Sequence, residues 1–228
     1  MYKIENRKQL SGEIFQLDVH APRVAETALP GQFVIVMDDR YGKRIPLTIS
    51  DYDRENGLVS IVVQSIGTAT QKLAKYQAGD KLSDFVGPLG NPSDFIYEEE
   101  EKRKAVRRLF IAGGLGAAPV YPQVKWLHEQ GTPCDVIIGA RSKDILIMEK
   151  EMTEVCENLY ICTDDGSSGF HGNVTMRLRD LVEVQGKAYD EVIAIGPMIM
   201  MKFVCLTTKE LGIPTVVSMN PIMVDGTG

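Results

Sequence analysis

The sequence is poor in cysteine and histidine, with four cysteines and three histidines in 228 residues. The cysteines, Cys134, Cys156, Cys162 and Cys205, are scattered, and no two of them form a C-x-x-C pair. The histidines are equally dispersed, so the sequence offers neither a zinc-ligand pattern nor a redox-active dithiol. We therefore expect reduced, mostly buried thiols and a cytoplasmic protein.

An excess of positive charge and a long apolar run are also missing. Lysine and arginine number 25 against 31 aspartates and glutamates, which gives a formal net charge of -6. Nucleic-acid-binding proteins usually carry a basic face, so we expect no nucleic-acid partner. No stretch approaches the ~20 apolar residues of a membrane-spanning helix, and the first residues lack the apolar segment of a signal peptide. We expect no membrane partner.

The pattern of apolar runs changes near residue 100. Before it, short apolar runs broken by Gly, Pro, Asn and Asp predict strands at 13–19, 32–37, 58–64 and 81–86, with one helix near 68–76. Such spacing favours a closed antiparallel barrel, because closure removes exposed sheet edges. We predict a Greek-key β-barrel domain at 1–100.

After residue 108 the predicted strands and helices alternate. Strands are predicted at 109–112, 134–139, 159–163, 191–195 and 215–219, and helices at 119–130, 145–158, 174–184 and 197–211. Alternation of this kind predicts a doubly wound parallel sheet, here a second, α/β domain at 101–218. The charged run at 98–107 between the two patterns is interpreted as a solvated linker or a lead-in to the first strand.

Glycines follow the first predicted strand of the second domain, in the segment Gly113-Gly114-Leu115-Gly116-Ala117-Ala118-Pro119. Glycines in such a turn let backbone N–H groups approach a pyrophosphate, and a helix N-terminus favours the anion. Taken alone, the turn could be purely structural. However, the later strands also end in small or polar residues, at 139–142, 163–167 and 196–198. Because ligands of doubly wound sheets bind at the carboxyl ends of strands, the sequence predicts a nucleotide site there.

Two segments of the first domain are weaker candidates. The segment 44–50 combines Arg44 with a proline and hydroxyl side chains, and Gln64 precedes a small-residue turn at 65–70 that opens a helix. The turn is a second candidate phosphate-binding loop. Each segment, taken alone, is more often an ordinary loop than a binding site. Gln64 could bind a planar ring or face solvent.

The order of these features resembles the ferredoxin–NADP reductase superfamily. A barrel is followed by Gly113-Gly114-x-Gly116-x-Ala118-Pro119, then Asp164-Asp165-Gly166-Ser167, then Gly196-Pro197-x-x-Met200. Within the superfamily the chain resembles electron-transfer subunits related to that of dihydroorotate dehydrogenase. It is most similar to the small subunits of electron-bifurcating NADH-dependent ferredoxin:NADP oxidoreductases, also described as sulfide dehydrogenases.

The resemblance implies an FAD-dependent NAD(P)H:ferredoxin oxidoreductase subunit. Hydride would pass between NAD(P)H and FAD, and single electrons would continue to an iron–sulfur centre. The implied partners are a larger flavin and iron–sulfur subunit and ferredoxin or a similar carrier. An electron-transfer subunit of dihydroorotate dehydrogenase is the alternative on the same scaffold, and a flavin-free nucleotide-binding regulatory module is the alternative of another class.

The resemblance also implies site residues. Among them, Thr48 and Gln64 would tune the flavin ring by hydrogen bonding to it. Arg44 lies one residue farther from Thr48 than the family's arginine, and Ala69 replaces a common glycine. The FAD residues are Arg44, Pro46, Leu47, Thr48, Val62, Val63, Gln64, Gly67, Ala69 and Thr70. The nucleotide residues are Gly113, Gly114, Gly116, Ala118, Pro119, Arg141, Ser142, Asp164, Asp165, Gly196, Pro197 and Met198. Arg141 and Ser142 could meet a 2′-phosphate, but Arg141 could also stack on adenine or face water, so NADH and NADPH both stay open.

Residues 219–228 resemble the lead-in to a [2Fe–2S] loop, with Asp225 at the position of the first cysteine ligand. The sequence stops before the other three cysteines. One carboxylate cannot hold a cluster that needs four ligands, so we expect the [2Fe–2S] centre only in a longer chain and interpret 219–228 as the start of a truncated loop. Asp225 favours the bifurcating enzyme over the dihydroorotate enzyme.

Overall fold

The computed structural model describes residues 1–219, which form two compact units that divide between Ser93 and Asp94. The predicted iron–sulfur lead-in, including Asp225, lies outside the described residues. The sequence places the division after residue 100 instead. The segment after Ser93 belongs to the second unit because Phe95 packs on two of its rings. The Phe95 ring centroid lies 6.3 Å from that of Phe110 and 5.8 Å from that of Trp126.

The first unit is a seven-stranded antiparallel sheet with the order β6-β1-β2-β5-β4-β3-β7. The two edge strands β6 and β7 are separated in sequence only by Ser83, whose N–H donates to the carbonyls of Met37 and Asp38. The sheet therefore wraps into a nearly closed barrel, which confirms the predicted fold. Its elements are β1 (Tyr2–Ser11), β2 (Ile14–His20), α1 (Pro22–Thr27), β3 (Phe33–Met37), β4 (Ile45–Asp53), β5 (Leu58–Gln64), α2 (Thr68–Leu73), β6 (Lys81–Leu82) and β7 (Asp84–Leu89).

Strands β1 and β4 and helix α1 do not appear among the predicted elements. Only Ile4 of β1 is fully buried, and charged residues surround it, so the apolar pattern there is weak. Strand β4 carries mostly half-buried residues and begins beside a proline. Strand formation in both cases depends on pairing with neighbouring strands rather than on local apolar pattern. The predicted strand at 81–86 is split into β6 and β7 at Ser83, whose N–H donates to the carbonyls of Met37 and Asp38.

The second unit is a six-stranded parallel sheet with the order β11-β10-β9-β8-β12-β13. Every residue of the central strand β8 is buried, as expected for a parallel strand covered on both faces. The doubly wound sheet is confirmed. Its elements are α3 (Glu100–Ala105), β8 (Arg108–Gly113), α4 (Ala117–Glu129), β9 (Asp135–Ala140), α5 (Glu149–Val155), β10 (Leu159–Thr163), β11 (Phe170–His171), α6 (Val174–Arg179), β12 (Glu191–Ile195), α7 (Met198–Leu211) and β13 (Thr215–Val217), with 3₁₀ turns at Asp94–Tyr97, Gly114–Gly116 and Lys143–Ile145 and a π turn at Asp180–Val184.

The charged run at 98–107 contains helix α3 and leads directly into β8, and most of its side chains are exposed, as expected of a solvated lead-in to that strand. Arg103 is the exception. The Arg103 guanidinium lies over the Trp126 ring at 5.1 Å, which buries a side chain expected in solvent. The side chain of Arg108, the first residue of β8, is 3% exposed and forms ion pairs with Glu98 and Glu191. Sequence charge alone could not reveal these aromatic and ionic partners.

Within residues 1–219, the helices are all too short or too polar to cross a membrane.

Candidate functional site

Two glycine-bearing turns meet where the strand order of the parallel sheet reverses. Strand β8 lies between β9 and β12, so the connections leaving β8 and β12 run to opposite sides. Strand β8 ends at Gly113, and β12 is followed directly by Gly196. A Cβ atom added to Gly196 would lie 3.1 Å from the Gly113 Cα atom. Such a reversal is where doubly wound sheets open a crevice for ligands.

Close packing accounts for three of the glycines. A Cβ on Gly116 would lie 2.1 Å from the carbonyl oxygen of Ile195, and a Cβ on Gly113 would lie 2.3 Å from the sulfur of Met200. Contacts of 2.1–2.3 Å are far inside van der Waals distance. Packing of the β8 turn against the β12–α7 connection therefore leaves no room for a side chain at Gly116, which meets a backbone atom, and little room at Gly113 and Gly196, which meet the Met200 side chain. Met200, not chosen as a site residue from the sequence, fills the space that two of these glycines leave.

Gly114 differs from its neighbours. Its φ of +52° is in the left-handed region that favours glycine, and no atom lies within 4 Å of an added Cβ. The turn at Gly114 therefore borders open space directly before helix α4. The 3₁₀ turn Gly114–Gly116 runs straight into α4, and the Ala117 N–H donates to carbonyls of that turn. The N–H groups left without a helical partner, which attract anions, are therefore those of the turn itself. This open turn at a helix start fits a pyrophosphate.

Ala118 and Pro119 contribute to the same site in a different way from the glycines. Ala118 is buried in the first turn of α4, so its side chain packs against the sheet and does not face the open turn. Pro119 is partly exposed at a position where its missing N–H costs nothing. The two residues shape the helix start, and the backbone supplies the hydrogen-bond donors.

The loops that follow β9 and β10 bring four predicted residues together. The Asp164 N–H donates to the carbonyl of Ala140, and the Asp165 N–H donates to the carbonyl of Arg141, both at 3.1 Å. Arg141 and Ser142 therefore lie beside Asp164 and Asp165 at the carboxyl edge of the sheet. The hydroxyl and N–H of Ser167 both donate to Asp165 and hold the pKa of that carboxyl below its usual range.

The end of β12 presents a prominent apolar side chain. Pro197 and Met198 are both exposed, Met198 by 71%. Both lie at the same carboxyl edge as Gly113 and the β9 and β10 loops, because all these strands are parallel. The sequence-predicted nucleotide residues of the second unit are therefore gathered on one edge.

In the first unit, the alternation of β4 and β5 separates the predicted flavin residues into two sets. Ile49 pairs with Ile61, and both belong to the barrel core. Since side chains alternate along a strand, Thr48 and Val62 point away from the core. Leu47 and Val63 point inward, and both pack in the core cluster.

Pro46 and Gln64 share the outer face with Thr48 and Val62 by the same alternation. Val62 is 6% exposed, whereas Thr48 and Gln64 are half-buried and Pro46 is exposed. A hydroxyl and an amide beside apolar groups can hydrogen-bond a planar heterocycle and cover its face. The outer surface of β4 and β5 therefore fits a flavin ring, and the side chains of Leu47 and Val63 lie on the opposite, inner face.

The turn before α2 is organised by the Thr70 side chain. The Thr70 hydroxyl accepts hydrogen bonds from the N–H groups of Gly67 at 3.0 Å and Ile66 at 3.2 Å. Helix geometry leaves the N–H groups of Thr68, Ala69 and Thr70 without partners inside α2. A Cβ on Gly67 would meet nothing closer than 3.9 Å, so the turn is open. These features fit a phosphate, with Thr70 shaping the turn.

Arg44 has a partner within the barrel. Its guanidinium lies 3.7 Å from a carboxylate oxygen of Asp84, and its side chain is 50% exposed. Exposed pairs of this kind contribute little to stability, so Arg44 is weakly held in its position. The structure shows no contact that singles it out for binding.

The known proteins that this chain resembles agree with the fold. A model of the family described as oxidoreductase NAD-binding domain matches residues 110–206. An uncharacterised protein of Clostridium beijerinckii is 58% identical over 100% of this chain and 77% of its own length. A structure of an NADH-dependent reduced ferredoxin–NADP oxidoreductase superposes with a TM-score of 0.87 and 38% identity, covering 100% of this chain and 79% of the other.

A further relative, the homologue of the dihydroorotate dehydrogenase B electron-transfer subunit from Thermotoga maritima, is 42% identical over 99% of this chain and 77% of that protein. Electron-transfer subunits themselves, such as that of Fusobacterium nucleatum, are 30% identical over 92% of this chain. These similarities confirm the resemblance read from the motifs. The chain belongs to the family of dihydroorotate dehydrogenase B electron-transfer subunits and their homologues, within the ferredoxin–NADP reductase superfamily.

Proposed function

We propose that this chain passes hydride between NAD(P)H and FAD and passes single electrons onward to an iron–sulfur centre and a larger partner subunit. The observation that carries the proposal is the open glycine turn at the strand-order reversal, where Gly113, Gly116 and Gly196 pack closely and Gly114 borders open space directly before α4. Membership of an electron-transfer subunit family supports the same function.

In the second unit, the backbone would hold NAD(P)H. The N–H groups of the open Gly114–Gly116 turn that leads into α4 would bind its pyrophosphate. Arg141 and Ser142 would meet the adenosine end, with Asp164 and Asp165 beside them. Pro197 and Met198 line the other side of the reversal point. No general acid or base is assigned, because hydride transfer needs orientation rather than proton transfer.

In the first unit, the outer face of β4 and β5 would hold FAD. Thr48 and Gln64 would hydrogen-bond the ring, Pro46 and Val62 would contact it, and the open turn beginning at Gly67 would bind the pyrophosphate. When bound, FAD supplies the redox chemistry, accepting a hydride and releasing electrons one at a time.

The first test is the colour of the purified protein and its response to nucleotides. We expect a yellow protein whose flavin absorbance bleaches on anaerobic mixing with NADH or NADPH. Stopped-flow traces with each nucleotide would show which one is the substrate. A colourless protein that binds nucleotide but takes up no added FAD would overturn the proposal in favour of a nucleotide-binding regulatory module.

A Thr48→Val variant tests the ring contact. The two side chains are nearly equal in size, but valine lacks the hydroxyl, so we expect FAD to be retained while the flavin potential shifts and flavin reduction slows about tenfold, as for one lost hydrogen bond. A spectroelectrochemical titration and stopped-flow reduction measure both. Thr27→Val, at an exposed position of helix α1, is the matched control. An unchanged potential and rate in Thr48→Val would remove Thr48 from this role.

The names of the relatives favour a second candidate, the electron-transfer subunit of a dihydroorotate dehydrogenase. The two candidates differ in their electron partner. We expect reduced flavin to pass electrons to ferredoxin in the presence of the larger flavin and iron–sulfur subunit. Electron transfer instead to the catalytic subunit of a dihydroorotate dehydrogenase, with dihydroorotate and NAD⁺ as substrates, would favour the second candidate.

A further inference from the structure

The loops after β9 and β10 stay joined beyond the end of the sheet. Two backbone hydrogen bonds continue the pairing, from Asp164 to Ala140 and from Asp165 to Arg141. One residue past Ser142, the Lys143 N–H donates to the Ser167 hydroxyl oxygen at 2.8 Å. The β9 loop is therefore held on both sides of Ser142.

Ser167 is itself fixed by Asp165. Its hydroxyl donates to Asp165 Oδ1 at 2.6 Å, and its N–H donates to the same oxygen at 2.9 Å. An ionised carboxylate only accepts hydrogen bonds, so the Ser167 proton must point to Asp165 and a lone pair remains for the Lys143 N–H. Hydrogen bonds to a charged group are stronger than neutral ones, which makes this geometry well defined.

The other side of the β10 loop is anchored to the sheet. The buried Thr163 hydroxyl donates to the Ser168 carbonyl at 2.9 Å and accepts from the Ser168 N–H at 3.0 Å. At Gly166, whose φ is +72°, an added Cβ would lie 2.9 Å from the His171 ring, so the imidazole packs on the turn. These contacts attach the turn that carries Ser167 to the end of β10, beside the β9 loop.

We propose that Ser167 is a positioning residue for the pyridine nucleotide. Through the Lys143 N–H, its hydroxyl fixes the backbone that presents Arg141 and Ser142 to the adenosine end of NAD(P)H. Arg141 is exposed, so its place is set by that backbone rather than by side-chain packing. This inference rests on the proposed function. The Ser167 hydroxyl belongs to the sequence motif, but it would act on the nucleotide only indirectly, through its hydrogen bond with the Lys143 N–H.

The test compares Ser167→Ala, Ser167→Thr and Ser168→Ala in the FAD-loaded protein. We expect Ser167→Ala to raise the Kd of NADH or NADPH, measured by calorimetry, about tenfold, because the variant loses the hydroxyl that bonds Asp165 and the Lys143 N–H. The rate of flavin reduction at saturating nucleotide should change less than twofold, because Ser167 is remote from the hydride. Ser167→Thr keeps the hydroxyl and should restore binding, and Ser168→Ala should behave like the unaltered protein, since Ser168 contributes only backbone hydrogen bonds here.

A second pair of variants tests the donor of this hydrogen bond, the Lys143 N–H. Lys143→Pro deletes the N–H that meets Ser167, while Lys143→Ala keeps it; the extended Ser142 backbone (φ -150°, ψ 164°) tolerates a following proline. Both variants lose the Lys143 ammonium group, so we expect the Kd of Lys143→Pro to exceed that of Lys143→Ala about tenfold, and a thermal melt checks that both fold. An unchanged Kd in Ser167→Ala together with equal Kd values in Lys143→Pro and Lys143→Ala would overturn the inference while leaving the proposed function standing. Failure of the unaltered protein to bind either nucleotide would overturn both.

Discussion

Replacing Gly116 by alanine should destabilise the second unit by about 3 kcal/mol or more, the upper range for overpacking. An added Cβ would lie 2.1 Å from the Ile195 carbonyl oxygen, a backbone atom. Ile195 is paired with Ala112 in the sheet, so neither backbone can move without breaking the register of β8 and β12. Urea unfolding followed by circular dichroism measures the loss, and nucleotide affinity should fall with it.

Two other glycines serve as controls for this prediction. Gly113→Ala also creates a close contact, at 2.3 Å, but with the sulfur of the flexible Met200 side chain, which can move. We expect a smaller cost of about 1 kcal/mol. Gly12→Ala meets no atom within 4 Å and should be nearly neutral. Equal unfolding free energies for Gly116→Ala and Gly12→Ala would contradict the packing explanation.

The second unit was the more predictable half of the fold. Strands β10 and β12 have the residue ranges that the sequence predicts, because short β-branched runs bounded by turns identify buried strands. Helix α7 starts one residue after the predicted helix and ends at the same leucine. In contrast, β11 has only two residues and forms because Phe170 and His171 pair with Cys162 and Thr163. Its two residues are too few to show a period.

The candidate site was predicted as segments, and its side-chain roles were not. The sequence shows the glycine-rich turn, but the close approach of Gly116 to the Ile195 carbonyl, which leaves no room for a Cβ, depends on a strand far away in sequence. The resemblance named Leu47 and Val63 together with Thr48 and Val62, although alternation along a strand puts the two pairs on opposite faces. Ser167 belongs to the Asp164-Asp165-Gly166-Ser167 motif, but its hydroxyl accepts a hydrogen bond from a backbone N–H, that of Lys143, and no residue pattern encodes such a contact.

Far from the nucleotide edge, at the amino end of the parallel sheet, a buried carboxylate ties three segments together. Asp135, at the start of β9, is 6% exposed. It accepts hydrogen bonds from Asn158 at 2.7 Å, Tyr189 at 2.7 Å and Lys187 at 2.9 Å. Burial raises the pKa of Asp135, but these donors outweigh burial, and the pKa lies below its usual range. The carboxylate holds the loop after the π turn against β9 and β10.

Asp135→Asn should therefore cost about 2–4 kcal/mol of stability near pH 7, since a neutral amide cannot replace the charged acceptor of Lys187. A carboxyl whose folded pKa is lowered stabilises above its unfolded pKa, about 4, and loses that contribution as pH falls through the folded value. The difference in unfolding free energy between the unaltered protein and Asp135→Asn should be constant above about pH 5 and should shrink as the pH drops below about 4. Urea unfolding at a series of pH values measures it.

Asp190→Asn is the matched control, because the pKa of Asp190 is also lowered, by hydrogen bonds from the backbone and side chain of Arg107. Both partners in that pair are largely exposed, with side chains 63% and 44% exposed. Solvent screening should keep its effect below about 1 kcal/mol at any pH. A stability gap for Asp135→Asn that stays constant from pH 7 to pH 3 would show that the loss comes from packing, because only a contribution from the ionised carboxylate disappears on protonation.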